Sequence, residues 1–94
     1  GSEMCIETGA YLNGEELHLT PIEYKLLCLL SHNVGKVLTH TYITQQIWGS
    51  SWENDIASLR VFMATLRKKL EPQKDSPQYI QTHIGVGYRM LRVD

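Results

Sequence analysis

The stretch Ile56–Leu70 constrains this chain more than any other. Leu59, Met63, Leu66 and Leu70 recur at helical spacing and fall in one narrow stripe, with Phe62 at its edge, when the chain turns by about 100° per residue. Such a stripe is stable only against a core, so the helix must lie on one. Its opposite side is the unusual part. Ala57, Val61, Ala64 and Lys68 lie there, with Ser58 and Thr65 on one flank and Arg60 and Arg67 on the other, and no acid occurs between Ile56 and Leu70. A side that met only water would carry Glu, Lys and Gln. Small residues allow close approach, apolar atoms can touch thymine methyl groups, Ser and Thr can bond base edges, and Arg and Lys reach phosphates, so this side suits the major groove of B-DNA. The alternative is a second buried face against another domain or a protomer.

The rest of the chain supplies the support. Residues 4–19 alternate in the manner of short strands, with Asn13-Gly14 as a hairpin turn. Thr20-Pro21-Ile22-Glu23 starts a helix: Thr20 caps, Glu23 completes a capping box, and Pro21 sits at the first helical position, where its missing N–H costs nothing. Ile22, Leu26, Leu29 and Leu30 carry that helix to about His32 or Asn33, with Gly35 in the following turn. Lys36-Val37-Leu38 reads as a short extended link. Thr39 caps a second helix whose inward side is Tyr42, Ile43, Gln46 and Ile47, and Gly49 ends it. Gly49–Asp55 reads as a polar loop around Trp52. After Leu70, Pro72 and Pro77 mark a loop, and Tyr79–Thr82 and Tyr88–Val93 read as strands joined by a glycine-bearing tip, His83-Ile84-Gly85-Val86-Gly87. Two helices with a short connection, the second basic, followed by a hairpin, form a helix-turn-helix with a wing.

Ninety-four residues leave room for one domain. The longest near-apolar run, Leu26–Leu30, falls far short of the roughly 20 residues that span a bilayer. No signal peptide is visible, Gly1-Ser2 read as the remnant of a removed tag, and residues 3–94 read as the folded domain, one part of a longer protein. Cys5 and Cys28 are too few for a disulfide scaffold, and Cys28 lies in an apolar run, so buried reduced thiols and an intracellular protein are expected. The formal net charge is only −1, but its distribution is lopsided. The acids Glu3, Glu7, Glu15, Glu16 and Glu23 crowd the first third against Lys25 alone. Arg60, Arg67, Lys68, Lys69, Lys74, Arg89 and Arg92 crowd the last third against Glu71 and Asp75. One end of the fold is therefore suited to a polyanion.

Several stretches together carry a family resemblance: Leu19-Thr20-Pro21-Ile22-Glu23-Tyr24, Gly35-Lys36-Val37-Leu38-Thr39, Ile47-Trp48-Gly49, Leu66-Arg67-Lys68-Lys69-Leu70-Glu71 and Gly85-Val86-Gly87-Tyr88-Arg89. In this order and spacing the chain resembles the C-terminal effector domain of OmpR/PhoB-type response regulators. Leu59–Arg67 is most similar to the KdpE subgroup, which regulates a high-affinity potassium-transport operon. The resemblance implies an α+β winged helix-turn-helix with an N-terminal four-stranded antiparallel sheet, three helices and a C-terminal β-hairpin wing. It implies sequence-specific binding to double-stranded promoter DNA, with a homodimer on direct repeats in the full-length protein. It also implies a preceding receiver domain, phosphorylated by a cognate histidine kinase, in the bacterial cytoplasm, with no membrane partner. By position, Ala57, Ser58, Val61, Ala64 and Thr65 would face the groove. Arg60, Arg67 and Lys68 would hold phosphates or base edges. Trp48 and Tyr88 would meet the backbone through the ring N–H and the hydroxyl, and Thr82 and His83 would belong to the wing. The loop residues Ser50, Ser51, Trp52 and Glu53 would touch RNA polymerase, unless Trp52 packs back on the domain. Ile84 stands where several relatives carry a minor-groove arginine, and Ala64 and Thr65 stand where an arginine is common. Readout is therefore expected to lean on apolar and hydroxyl contacts.

Other chemistries fit poorly. His18, His32, His40 and His83 lack partners at metal-ligand spacing. Gly85-Val86-Gly87 lacks the third glycine and the following helix of a phosphate loop. Cys28 lies on an apolar helix, with no cleft in prospect, so neither an enzyme nor a cofactor is expected. The remaining alternative is a winged-helix protein-protein interaction module without DNA binding.

Overall fold

The structure, a computed structural model, describes residues 4–93; Gly1-Ser2, read above as a tag remnant, lie outside them. The chain runs β1 (Cys5–Ile6), β2 (Gly9–Leu12), β3 (Glu15–Leu17), α1 (Pro21–Ser31), β4 (Val37–Thr39), α2 (His40–Trp48), α3 (Glu53–Leu70), β5 (Ile80–His83) and β6 (Gly87–Met90). Two antiparallel three-stranded sheets, β1-β2-β3 and β4-β6-β5, flank the helices.

The N-terminal sheet thus has three strands among the described residues where four were expected. The strand-like stretch after α1, read from sequence as a link, joins the wing instead. Leu38 pairs with Tyr88, both turned to the core, and Thr39 pairs with Gly87. Gly87 is needed there for closeness, not for a positive φ: a Cβ on it would overlap the Leu38 carbonyl. The turn β2–β3 follows expectation, with Asn13 and Gly14 at φ 53° and 83°.

Helices α1 and α2 start as the sequence says. Thr20 Oγ1 accepts from the Glu23 N–H, and Glu23 Oε1 accepts from the Thr20 N–H at 2.8 Å. Thr39 caps α2, and Gly49 ends it in the left-handed region at φ 77°. The inward side of α2 differs from the expected one. Ile43 and Thr44 are buried and Ile47 half-buried, while Tyr42 and Gln46 are exposed. Thr44 tolerates burial because its hydroxyl bonds the His40 carbonyl at 2.9 Å, a local partner that a sequence pattern does not reveal. Helix α3 begins at Glu53, three residues before the expected start, because Asp55 secures the first turn: its Oδ2 accepts from the Trp52 N–H at 2.9 Å and from Ser50 Oγ at 2.6 Å.

The core is one cluster. Leu59, Met63, Leu66 and Leu70 of α3 meet Leu26, Leu27 and Leu30 of α1, Ile43 of α2, and Tyr79, Ile80, Tyr88 and Met90 of the wing. The predicted stripe on α3 is therefore its buried side. Reduced thiols are not found. Cys5 on β1 and Cys28 on α1 are joined by a disulfide, with Cα atoms 5.2 Å apart, inside the usual disulfide range. Sequence spacing could not show that β1 folds back over α1, and the compartment argument that rested on free thiols loses its basis.

Candidate nucleic-acid interface

The side of α3 turned away from the core carries Ala57, Ser58, Arg60, Val61, Ala64 and Lys68, all exposed. Val61 alone is 62% exposed, an aliphatic left in water at the centre of the row. Among the described residues no element covers this side. The acids of α3, Glu53 and Asp55, are confined to its first turn, where they favour the helix N-terminus. Among the described residues the ion pair found is Glu23–Lys69, so Arg60 and Lys68 keep their charge free for an outside partner.

Two residues assigned to this row belong elsewhere. Thr65 is half-buried on the α1 flank. Its hydroxyl donates to the Phe62 carbonyl at 2.9 Å and lies near enough to Glu23 to favour the carboxylate. Arg67 does not pair with Glu71, four residues on. Its guanidinium spans to the wing, donating to Thr82 Oγ1 and to the Ile80 carbonyl, each at 2.5 Å. Glu71 is occupied in turn by the backbone N–H groups of Tyr79 and Ile80, at 2.7 and 3.0 Å. The two residues therefore brace the wing against α3 from opposite charges. Lys69, given no role from sequence, reaches Glu23 at 2.7 Å and the His18 carbonyl at 3.0 Å. Burial pushes the Glu23 carboxyl up, but Lys69, Thr65 and Thr20 outweigh it and hold it at about 2.

Around α3 lie the other candidates. Trp48 is half-buried, its ring tilted on Phe62 with centroids 6.1 Å apart. Tyr88 is buried and meets the His40 ring edge-on at 5.5 Å. Burial raises the Tyr88 hydroxyl above its ordinary pKa, while Arg60 and Arg67 pull it back. Burial and then Arg60 lower that of His40. His40 and Tyr88 thus feel the charge of Arg60 where α2, α3 and the wing meet. Beside it an open cleft is lined by Thr39, His40, Thr41, Ile56, Gly85 and Val86. The N-terminus of α2 borders it; there the His40 N–H donates to the Val86 carbonyl at 3.0 Å and the Tyr42 N–H to Thr39 Oγ1 at 3.1 Å, so what favours an anion is the helix dipole. Sequence reasoning passed over Thr39 and Thr41, although the N-cap at Thr39 was the available signal.

On the wing, Thr82 is exposed but already accepts from Arg67, and half-buried His83 sits 3.1 Å from Gln81 Oε1. Gln81 Oε1 also takes Arg89 through Nε at 3.1 Å and Nη2 at 2.5 Å. Ile84 forms the tip, 94% exposed. At the other end of α3, Ser50 and Ser51 are half-buried, Glu53 is exposed, and Trp52 is 75% exposed. Trp52 therefore does not pack back on the domain. The acidic residues Glu7, Glu15 and Glu16 lie exposed around the N-terminal sheet, which packs on α1, while Glu23 of the same sequence block is buried against Lys69 of the basic one.

The family model described as "Transcriptional regulatory protein, C terminal" matches residues 14–90. The chain belongs to this family. It is 44% identical over 77 residues to the KDP operon transcriptional regulatory protein KdpE of Escherichia coli (strain K12), covering 82% of this chain and 34% of the relative. The DNA binding domain of CpxR from E. coli superposes with a TM-score of 0.75 at 29% identity, over 90% of this chain and 83% of that one. Response regulator DrrB, a Thermotoga maritima OmpR/PhoB homologue, superposes with a TM-score of 0.76 at 28% identity, over 89% of this chain and 38% of that one. The chain is thus a winged-helix effector domain of the OmpR/PhoB type, from a family of transcriptional regulators and not of enzymes, and it spans about a third of the length of the KdpE protein it matches. Among the described residues no helix is long and apolar enough to cross a membrane.

Proposed function

We propose that this domain reads promoter DNA by laying the outward side of α3 in the major groove, with the wing against the adjacent backbone. The observation that carries the reading is the exposed, acid-free row Ala57–Ser58–Val61–Ala64 between Arg60 and Lys68, whose reverse side is the core. Ser58, Val61 and Ala64 supply hydroxyl and methyl contacts to base edges, and Arg60 and Lys68 supply charge to phosphates. The cleft at the start of α2 takes a phosphate. Trp48, Tyr88, Thr82 and His83 act behind these contacts, through packing and wing placement; Arg67 holds the wing at its angle.

In the whole protein, residues 3–94 form the effector domain of a two-component response regulator of potassium-transport genes. A receiver domain precedes it and answers to a histidine kinase in the bacterial cytoplasm, and two copies sit on direct repeats. Ser50, Ser51, exposed Trp52 and Glu53 meet RNA polymerase. Selection of bound fragments from a random duplex pool, followed by titration of the winning site at several salt concentrations, tests the reading. With about four or five phosphate contacts per protomer, log K should fall against log salt with a slope of roughly −4. A pool without enrichment and no shift at low salt would leave the protein-interaction module instead.

A further inference from the structure

We propose that Cys5 and Cys28 form a reversible clamp that fastens β1 to α1, operated by low-molecular-weight thiols and disulfides of the glutathione class. The inference is independent of DNA reading. Strand β1 has two residues, paired with β2 at Cys5–Ala10 and Ile6–Gly9, and the Tyr11 N–H donates to the Met4 carbonyl at 2.7 Å, still too short a ladder to hold by itself. Its other fastenings are the disulfide to Cys28, the Tyr24 hydroxyl donating to the Ile6 carbonyl at 2.6 Å, and the burial of Met4. The bonded cysteines are 23 positions apart, so the bond closes a loop containing the whole N-terminal sheet and most of α1. Opening it returns that loop's freedom to the unfolded chain.

The bond is also reachable. Cys5 is buried, but Cys28 is half-buried, and both line an open surface cleft with Tyr24 and His32. An incoming thiolate meets Cys28 first, and Cys5 is the sulfur released. An accessible disulfide of this kind exchanges, where an enclosed one persists. In closing, the Cys28 thiolate attacks one sulfur of a disulfide RSSR. The RS–SR bond breaks, RS⁻ leaves, and a Cys28–S–SR mixed disulfide forms. The Cys5 thiolate then attacks the Cys28 sulfur and expels the second RS⁻. Two cysteine thiols are oxidised, one RSSR is reduced to two RSH, and the two cysteine protons end on the departing thiolates. Reduction runs the same steps backwards. The clamp holds Met4 and β1 on α1 without touching the outward side of α3.

The purified protein equilibrated in glutathione buffers, from fully oxidised to a large excess of the reduced form, then acid-quenched and alkylated with a heavy maleimide, reports the state of both sulfurs. The expected result is one two-electron conversion between no free thiols and two. It should be accompanied by a fall in Tm of about 10 °C on reduction. Hydrogen exchange at Cys5, Ile6 and Tyr11 should quicken at least tenfold on reduction, with α3 unchanged. Cys28→Ser and Cys5→Ala should each show the reduced behaviour in both buffers. The proposal is overturned by a bond that never forms in the oxidised buffer, by one that resists the reduced buffer, or by β1 exchange that is the same in both states.

Discussion

Glu23 and Lys69 illustrate how much a single residue pair carries here. Glu23 was legible as the acid of a capping box, and it is one; what the sequence could not show is that the same carboxylate is 2% exposed and receives Lys69 from α3. With its folded pKa held at about 2 against an ordinary 4.5, the carboxylate favours the fold at and above pH 4.5, and that contribution is lost as pH falls towards 2. It amounts to about 2–3 kcal/mol, allowing for the half-exposed Lys69 head. Thermal melts at pH 6 and pH 2.5 should show the loss, and Glu23→Gln should flatten it. Lys69→Met leaves the buried carboxylate its Thr20 and Thr65 partners but no counter-charge, and should cost roughly 2–3 kcal/mol at neutral pH. Thr65 and Ala64 make the complementary test. Ala64→Glu should abolish DNA binding and leave stability within about 0.5 kcal/mol, as for an exposed site. Thr65→Glu puts a second acid beside Glu23 and should lower Tm as well, which an electrophoretic shift and a melt on the two variants would separate.

At the scale of elements, the wing depends on contacts that no local pattern contains. Gly87 reads as a tip glycine, yet it is the contact point where β4 crosses closely, so Gly87→Ala should cost about 2–4 kcal/mol by forcing β4 and β6 apart. Arg67 was expected to hold a phosphate or a base edge, but it spans to Ile80 and Thr82. Lys68→Ala should reduce the salt slope by about 1 with sequence preference intact. Arg67→Ala should instead loosen the wing, seen as faster amide exchange in β5. The early start of α3 has the same origin: Asp55 reaching back to Ser50 and Trp52 is a specific side-chain match, invisible to hydrophobic spacing. Trp52 itself is exposed, so Trp52→Ala should lower promoter-driven transcription while DNA affinity and Tm stay unchanged.

Across the whole molecule, the two charge blocks of the chain meet at Glu23–Lys69, while Glu7, Glu15 and Glu16 stay exposed about the N-terminal sheet and Arg60 and Lys68 stay exposed on the outward side of α3. The sequence by itself determined the caps of α1 and α2, the β2–β3 turn, the buried stripe of α3 and the exposed row opposite it. Those features are local: each is written in residues a few positions apart, where capping, turn geometry and helical spacing act. Tertiary structure alone decided the strand that joins the wing, the burial of Thr44, the Arg67 and Glu71 braces, the Glu23–Lys69 pair and the bond between Cys5 and Cys28. Each of these joins elements far apart along the chain, and the partner is chosen by which surfaces the closed core brings together.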